Sequence, residues 1–307
     1  MKKAIVTGAN GFIGSHVVKE LINQNVEVIA VVRSPKSNLI PLAGIKNIKT
    51  VYCDLSDIGY LIQKIKDRDI DTFYHFAWEG CAGHSRTNEL IQTQNALWTT
   101  NSVKVAKELR CKKFVGAGSI MEKDTFSAVF KHENKPIKDY IYGASKLNAH
   151  CLSKTVAAQL DIEHVWGIIT NAYGPGDCSP RFINITIRKI IHNEPLVFTK
   201  ATQIYDFIYI TDVAKAFYKI GTSGKPFCNY IIGSSNAKPL KQFIIEMQQT
   251  LAPKRELRFG TLPYTGGNIS IDQFNTEEIE KDTGFSANIS FSEGIIKTMN
   301  WYKDNLN

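Results

Sequence analysis

The chain has 307 residues, enough for one large domain or two closely joined domains with a sizeable buried core. Hydrophobic residues make up 43% and charged residues 21%, as in ordinary globular proteins, and the formal net charge is +8. No basic run is interleaved with aromatic residues, and no stretch approaches the roughly 18 apolar residues of a membrane span. These features argue against a nucleic-acid partner and against a membrane protein.

The positive charge and the cysteines bear on solubility and compartment. The charge fits either a lysine-rich surface or attraction for anionic small ligands. The six cysteines include no C-x-x-C pair and do not make a disulfide scaffold, so we expect free thiols and a cytoplasmic location. The first apolar run stops after Val6, too short for a secretory signal. His84 and His132 lack partners at metal-ligand spacing, so no metal site is predicted.

Strands and helices alternate over the first 170 residues. The predicted strands are, in chain order, KAIVTG, VEVIAVVR, IKTVYCDL, DTFYHFAW, KKFVGAGS and IEHVWGIIT. Helices are predicted at FIGSHVVKELINQ, at LIQKIKD, and over about 86–109 and 140–161. This alternation predicts an α/β fold, a Rossmann-type doubly wound parallel sheet over residues 1–170 that binds a dinucleotide.

After residue 171 the turn formers of NAYGPGDCSPRF break the alternation. Shorter elements follow, namely EPLVFT, QIYDFIYI, TDVAKAFYKI, CNYIIG, LKQFIIEMQQTL and a final helix near 291–304. We predict a smaller mixed α/β domain over residues 171–307 that mainly binds substrate. Elements near 203–232 are expected to return to the main sheet.

The segment TGANGFIG lies between the first strand and the first helix, where the dinucleotide-binding fingerprint requires it. Gly8 permits a tight turn, Gly11 lets a pyrophosphate approach the backbone, and Gly14 lets helix and strand pack closely. The helix N-terminus then offers free N–H groups and a partial positive charge to the phosphates. The contacts predicted at this turn are Gly8, Asn10, Gly11, Phe12, Ile13 and Gly14.

The end of the second strand bears on the choice of cofactor. An acid about 20 residues beyond the glycines would bind the 2′-hydroxyl of NAD, but Arg33 stands there. Arg33, Ser34 and Lys36 offer charge and donors suited to the 2′-phosphate of NADP. We favour NADP(H), with NAD(H) possible if the segment is only a solvated basic loop. Asp54, beside Leu55, either meets the adenine amino group or caps the next helix.

The stretch DYIYGASKLNAH places Tyr142 one helical turn before Lys146 on the same face, whereas Tyr140 lies nearly opposite. Alone, the spacing is a weak pattern that an ordinary amphipathic helix also produces. Ser119 ends the fifth strand, at the edge where open α/β sheets bind ligands, or else caps a turn. A tyrosine pKa of about 10 must fall by about 3 units for action near neutral pH. An adjacent ammonium and a positive nicotinamide could supply this.

Together, the ordered motifs TGANGFIG, CDL, HFAW, NALWTTN, GAGS, YGASK, NAYGPG and YDFIYITDVA resemble the extended short-chain dehydrogenase/reductase family, of the NAD-dependent epimerase/dehydratase type. The resemblance covers nearly the whole chain and is closest to nucleotide-sugar-modifying enzymes. It implies that Ser119, Tyr142 and Lys146 form a catalytic constellation. It also implies that Phe76, Ala77 and Trp78 line the nicotinamide ribose and that Asn95 supports the site, while His75 packs in its strand.

The residues after Ser119 bear on the reaction. Dehydratases of the family carry an Asp-Glu pair there, but this chain has Ile120 and Met121, with Glu122 one position late. The cysteine that epimerases with a reduction step carry at the Ser119 position is absent. We predict an NADP(H)-dependent reductase of the C4 ketone of a 4-keto-6-deoxy sugar nucleotide, with Tyr142 as proton donor. The alternatives are a nucleotide-sugar 4-epimerase with bound NAD and a non-catalytic NADP-binding sensor or scaffold.

Two features concern the substrate and the assembly. The family places arginines that clamp the substrate diphosphate where this chain has Tyr205 and Thr265, while Asn171 matches a substrate-phosphate position. Arg181 and Arg188 either replace the missing charge or are simply exposed. The apolar faces of the helices at about 86–109 and 140–161 either cover the sheet or, as in the family, pair as a four-helix bundle in a homodimer.

Overall fold

The computed structural model of the protein describes residues 1–263, 267 and 269–305, and Thr265 lies outside them. The strands are β1 (Lys3–Thr7), β2 (Glu27–Val32), β3 (Ile48–Tyr52), β4 (Thr72–His75), β5 (Lys113–Ser119), β6 (Glu163–Ile169), β7 (Asn171–Tyr173), β8 (Leu196–Val197), β9 (Ile204–Tyr205), β10 (Phe207–Tyr209), β11 (Asn229–Ile232), β12 (Lys238–Pro239) and β13 (Leu257–Arg258). The helices are α1 (Phe12–Asn23), α2 (Leu61–Lys64), α3 (Glu89–Glu108), α4 (Met121–Val129), α5 (Tyr140–Gln159), α6 (Phe182–Ile191), α7 (Ile210–Ser223), α8 (Leu240–Leu251), α9 (Glu277–Thr283) and α10 (Phe291–Asn305). Short 3-10 helices span Ile40–Leu42, Leu55–Tyr60, His84–Thr87 and Ile271–Phe274.

Seven strands form one parallel sheet in the order β11-β6-β5-β4-β1-β2-β3. This is the strand order of a Rossmann-type doubly wound sheet extended by one strand, so the predicted fold class is confirmed. The order switches direction between β1 and β4. Ligands of open α/β sheets bind at the carboxyl ends of the strands beside such a switch point.

Both faces of the central strands are buried, which explains their continuous apolar sequences. In β1, Ala4 and Val6 pack into a core that includes residues of α1 and α7. Ile5 points to the opposite face and packs into a core that includes residues of α3 and α5. Helices therefore cover the sheet on both sides, and its carboxyl edge is available to form a site.

The later part of the chain consists of smaller elements. Two-stranded sheets pair β7 with β10, β9 with β12 and β8 with β13. From the segment near 203–232, β11 joins the main sheet beside β6, and α7 packs against α1. The domain boundary at residue 170 stays a prediction. None of the helices in the described part of the chain has both the length and the apolar character that a membrane span requires.

Helix α4 was not predicted, because its pattern of polarity is reversed. Glu122 and Asp124 are buried, whereas Phe126 and Val129 are exposed. An apolar stripe at helical spacing is the signal for an amphipathic helix, and here the inward positions are acidic. This helix directly follows Ser119, so the missed element belongs to the surroundings of the site.

Candidate active site

A cleft of about 1040 Å³ opens at the carboxyl edge of the sheet, beside the switch point between β1 and β4. Among the residues predicted to bind cofactor or substrate, those that line it are Gly8, Asn10, Gly11, Phe12, Ile13, Gly14, Arg33, Leu55, Phe76, Ala77, Trp78, Ser119, Tyr142, Lys146, Asn171, Arg181 and Tyr205. Ser34, Lys36, Asp54 and Arg188 are not among the residues that line it. Within the described ranges, no group of three or more His, Cys, Asp or Glu side chains is placed to hold a metal ion.

Two glycines shape the turn after β1. Gly8 has a φ of +64°, and a Cβ added there would lie 2.7 Å from the backbone nitrogen of Ala77. At Gly14 an added Cβ would lie 2.1 Å from the carbonyl oxygen of Gly8. Helix α1 begins after Gly11 with no side-chain cap and no acid in its first turn, which leaves its first N–H groups for an anion. The turn therefore fits the diphosphate of a dinucleotide.

Arg33 lines the part of the cleft that follows β2, and two carboxylates lie near its guanidinium. Its Nε lies 3.6 Å from Oδ2 of Asp54, and its Nη2 lies 3.7 Å from Oε2 of Glu79. The Arg33 side chain is 58% exposed, so each ion pair is weak. The two carboxylates still offset part of the positive charge that would attract a 2′-phosphate.

Ser34 and Lys36, which were predicted to join Arg33, lie away from the cleft. The backbone N–H of Ser37 donates to the carbonyl of Ser34 at 3.0 Å, so the chain turns back on itself here. Ser37 and Asn38 line the cleft instead. The sequence places all of these polar residues in one loop, and only the turn decides which of them face the ligand.

Asp54 was predicted either to meet the adenine amino group or to cap the next helix, and in the structure it caps that helix. Its carboxylate accepts the backbone N–H of Ser56 at 2.9 Å and caps the 3-10 helix Leu55–Tyr60. The neighbouring Leu55 lines the cleft, whereas Asp54 does not. The geometry thus favours a cap over an adenine contact for this carboxylate.

Hydrogen bonds of His75 and Asn95 fix the end of β4 and the loop that follows it. His75 is buried, with its ring nitrogens 2.9 Å from Oγ1 of Thr7 and 3.3 Å from Oγ1 of Thr99. Burial lowers the pKa of His75 to about 3, so the ring is a neutral part of the core. Asn95 accepts the N–H of Glu79 at 2.8 Å and donates to its carbonyl at 2.9 Å. These bonds hold the loop at 76–78 that lines the cleft.

Ser119, Tyr142 and Lys146 all line the cleft. The ammonium of Lys146 donates to the carbonyl of Ala117 at 2.9 Å and lies 3.6 Å from the centre of the Trp78 ring. It lies 5.9 Å from the centre of the Tyr142 ring. Burial lowers the pKa of Lys146 from 10.5 to about 8, so the amine is still mostly charged at neutral pH.

The hydroxyl of Tyr142 is hard to ionise in this setting. The pKa of Tyr142 is raised to about 12: burial has the largest effect and the Cys81 thiol also raises the pKa, whereas Arg86 and Arg181 lower it. The neighbouring ammonium of Lys146 does not outweigh burial. The predicted fall of about 3 units in the pKa of Tyr142 was therefore wrong for the protein's own residues, which keep the hydroxyl protonated, the form from which a proton can be donated.

Arg86 was missed by sequence reasoning. Its guanidinium carbon lies 3.8 Å from the centre of the Tyr142 ring, and its Nη1 donates to the carbonyl of Cys81 at 3.0 Å. Arg86 therefore brings a cation closer to the Tyr142 ring than Lys146 does. The residue belongs to the short 3-10 helix His84–Thr87, and no sequence pattern links that helix to the start of α5.

The wall opposite the glycine turn contains the predicted substrate contacts. Asn171 donates to the carbonyl of Asp206 at 3.1 Å and lines the cleft. Tyr205 stacks on Phe207 with the ring centres 5.5 Å apart, so an aromatic face stands where the family places an arginine. Arg181 is exposed, lines the cleft and precedes α6.

Arg188 requires a correction. Its Nη2 donates to the carbonyl of Cys178 at 2.7 Å and to the hydroxyl of Tyr302 at 3.3 Å. The bond to Tyr302 joins α6 to α10, and Arg188 is not among the residues that line the cleft. Of the two arginines proposed to replace the missing charge, only Arg181 is in a position to do so.

The positions that supply the acid and base of dehydratases carry no acid here. Ile120 and Met121 line the cleft. Glu122 does not, because its carboxylate turns under β5 and accepts the backbone N–H of Ser119 at 2.8 Å. Its displaced position in the sequence therefore does not restore a dehydratase acid.

The chain is similar in sequence to a family of enzymes and to individual members with known activities. Residues 4–233 match a family model described as the NAD dependent epimerase/dehydratase family. The chain is 27% identical over 299 residues to CDP-abequose synthase from Salmonella typhimurium, with 95% of each chain covered. It is 26% identical over 324 aligned residues to dTDP-D-glucose 4,6-dehydratase from Homo sapiens, covering 99% of this chain and 91% of that one.

Solved structures show the same fold. The enzyme WbmF from Bordetella bronchiseptica in complex with NADH has a TM-score of 0.79 at 23% identity, covering 99% of this chain and 93% of that chain. UDP-glucose 4-epimerase from Thermotoga maritima with UDP-glucose has a TM-score of 0.81 at 17% identity, covering 99% of this chain and all of that chain. At such identities the likeness concerns the fold alone.

Proposed function

The chain belongs to the NAD dependent epimerase/dehydratase family of nucleotide-sugar-modifying enzymes, and within it we propose an NADP(H)-dependent reductase of a 4-keto-6-deoxy sugar nucleotide. One observation carries the proposal. Ser119, Tyr142 and Lys146 all line the cleft, while Ile120 and Met121 occupy the positions where a dehydratase needs an acid and a base. The site is thus equipped for hydride and proton transfer at one carbon and not for removal of water.

The residues present fit the cofactor. The first N–H groups of α1 have no side-chain cap and can bind the diphosphate, and Lys146 lies 3.6 Å from the centre of the Trp78 ring, where the nicotinamide ribose is expected. Arg33 would meet the adenosine end. When bound, NADPH supplies the hydride that the C4 ketone accepts.

The chain's own residues handle the proton. Tyr142, kept protonated by burial, donates it to the C4 oxygen as negative charge develops there. The hydroxyl of Ser119 donates a hydrogen bond to the same oxygen, and the ammonium of Lys146 stabilises the tyrosinate that remains. Arg86, stacked on the Tyr142 ring, adds a second positive charge.

Arg181 is proposed to bind the substrate diphosphate, because Tyr205 replaces the arginine of the family at that wall. Loss of a charged hydrogen bond of this kind costs about 1.5–3 kcal/mol, so Arg181→Gln should raise KM for the nucleotide sugar about tenfold or more. Arg188→Gln is the matched control, since that side chain binds Tyr302 and leaves KM unchanged. An equal rise in KM for both variants would contradict the assignment.

One observation favours a second candidate, a 4-epimerase with bound NAD. Arg33 is flanked by Asp54 and Glu79, which weakens the case for a 2′-phosphate. A third candidate, a non-catalytic NADP sensor, is disfavoured because Tyr142 and Lys146 are both present and both line the cleft.

The decisive experiment offers nucleotide 4-keto-6-deoxysugars with NADPH or NADH and follows the nicotinamide absorbance. Oxidation of NADPH that depends on the ketosugar and is abolished in Tyr142→Phe supports the reductase. Interconversion of 4-epimers without net cofactor oxidation would establish the epimerase instead. Tight cofactor binding without turnover of any sugar would leave only the sensor.

A homodimer formed by α3 and α5, at a cytoplasmic location, completes the proposal. Leu90 is 75%, Leu97 49% and Leu152 39% exposed on these two helices, so apolar surface remains after the sheet is covered. Burial of these side chains in a four-helix bundle would remove it from water. Sedimentation at micromolar concentration should show a dimer that Leu97→Asp dissociates, and a monomeric wild type would refute the dimer.

A further inference from the structure

Glu122 is a buried carboxylate for which the proposed chemistry has no role. It is 2% exposed, and its two oxygens meet three donor groups from three different elements. Oε1 accepts the backbone N–H of Ser119 at 2.8 Å and the indole N–H of Trp166 at 3.1 Å. Oε2 lies 3.0 Å from Nδ1 of His150. A buried charge with this many partners is expensive to keep, so its position calls for an explanation.

The bonds around Ser119 form a variant of the capping box before α4, because the serine hydroxyl accepts the N–H of Met121 and not that of Glu122. The hydroxyl oxygen of Ser119 accepts the N–H of Met121 at 3.3 Å, while Glu122 reaches back to the N–H of Ser119. A hydroxyl has one proton and two lone pairs. Because one lone pair of Ser119 is engaged by a backbone donor, its proton is left to point into the cleft as a donor.

The second oxygen of Glu122 connects this box to the catalytic helix. Tyr142, Lys146 and His150 follow one another at intervals of four residues on α5, so they share one helix face. The ring of His150 also stacks on Trp166, with the centres 4.8 Å apart and the planes 9° apart. Glu122 thereby joins the end of β5, which carries Ser119, to the helix that carries the other two residues.

The backbone of β5 is adapted to this carboxylate. Trp166 on β6 lies across β5, where a Cβ added to Gly116 would come within 2.0 Å of its ring. A Cβ added to Gly118 would lie 2.2 Å from Nε1 of Trp166 and 2.4 Å from Oε1 of Glu122. The two glycines of GAGS therefore make room for the indole and the carboxylate, not for the ligand.

We infer that Glu122 is a positioning residue: through its bonds to Ser119 and His150 it holds the serine hydroxyl as a hydrogen-bond donor at a set distance from Tyr142 and Lys146. The inference rests on the proposed function, because it assigns Ser119 the C4 oxygen as its acceptor. Chain connectivity alone does not set this distance, since α4 and a loop intervene between β5 and α5.

The test compares Glu122→Met, which removes both acceptors, with Glu122→Gln, which can still accept the N–H of Ser119. Misplacing a donor to the developing oxyanion costs about 100-fold, so Glu122→Met should lower kcat by that factor while KM and the Kd for NADPH change less than about threefold. Glu122→Gln should recover most of kcat. The matched control is Asp212→Asn, since Asp212 is equally buried and accepts the N–H groups of Asn288 and Ile289 far along the chain.

A folded Glu122→Met variant with wild-type kcat would overturn the inference, as would an equal loss of kcat in Asp212→Asn. If Glu122→Met does not fold, His150→Phe decides, because phenylalanine keeps the stacking on Trp166 but cannot bond Glu122. Its kcat should fall about tenfold, and an unchanged kcat would sink the inference.

Failure of the proposed function is recognised separately, as absence of ketosugar turnover by the wild type. In that case the positioning role is tested by measuring amide hydrogen exchange in the protein without ligand. The amide of Ser119 should exchange faster in Glu122→Met than in the wild type and Asp212→Asn. Equal protection in all three would overturn the positioning role.

Discussion

Substituting Gly118 by alanine tests the packing beneath the catalytic edge without any knowledge of the substrate. The new Cβ would lie 2.2 Å from Nε1 of Trp166, 2.4 Å from Oε1 of Glu122 and 2.9 Å from Cδ1 of Trp166. These atoms belong to a buried indole and a buried carboxylate, not to the free end of a flexible side chain. The neighbours must therefore separate, which breaks the bond between them.

The expected cost is the sum of three effects. Alanine reduces the entropy of the unfolded chain, a gain of about 0.4–1 kcal/mol. Overpacking in a dense core costs about 1–3 kcal/mol, and a buried donor left without its acceptor costs about 1–3 kcal/mol more. We expect Gly118→Ala to lower the free energy of unfolding by about 1–5.5 kcal/mol.

Urea denaturation followed by circular dichroism measures this change, with the slope m as a check that the unfolded state is unaltered. Gly59→Ala is the matched control, since nothing lies within 4 Å of a Cβ added to that glycine. Its free energy of unfolding should stay the same or rise slightly. Equal stability of the two variants would refute the account of why β5 carries glycine beside Trp166.

Three further outcomes are expected. Arg86→Gln removes a cation 3.8 Å from the ring centre of Tyr142, which should raise the pKa of that hydroxyl and make it a poorer proton donor. We expect kcat in the reductive direction to fall by up to about tenfold and Arg86→Lys to restore it; an unchanged kcat would show that Arg86 does not act on Tyr142. Glu79→Gln removes one of the carboxylates near Arg33 and should raise the preference for NADPH over NADH by up to about fivefold, measured as the ratio of kcat/KM values. An unchanged ratio would show that the ion pair at 3.7 Å has no effect on cofactor choice. The pKa of Lys146 falls from 10.5 to about 8 on folding, so between these pH values the unfolded chain binds more protons than the folded protein. The free energy of unfolding of the wild type should therefore rise by about 3 kcal/mol as pH rises through this range. Urea denaturation at pH 7 and pH 10 should show that Lys146→Met lacks this rise.

The cofactor turn illustrates what could be predicted from the sequence. Gly8 and Gly14 are required by a positive φ and by a close approach within one short segment. Such requirements act between residues that are neighbours in the chain, and they leave a recognisable spacing in the sequence. The buried parallel strands were predictable for a similar reason, because both of their faces are apolar.

Several polar residues show where prediction from the sequence stops. Lys36 and Ser37 lie side by side in one loop, and only the course of the turn decides that Ser37 lines the cleft. Arg188 has the charge that a diphosphate requires, but Tyr302 and a carbonyl on other segments hold it elsewhere. Helix α4 buries acids and exposes apolar side chains, so the usual periodicity gives no sign of it.

The sequence by itself determined the fold class, and it predicted the cofactor turn and the site residues Ser119, Tyr142 and Lys146, because these depend on local backbone requirements and on motifs in a fixed order. The tertiary structure alone decided that Arg86 stacks on Tyr142 and that Glu122 bonds Ser119 and His150. These contacts join segments that folding brings together. A buried polar group must form its hydrogen bonds with the protein groups around it, because water cannot replace them.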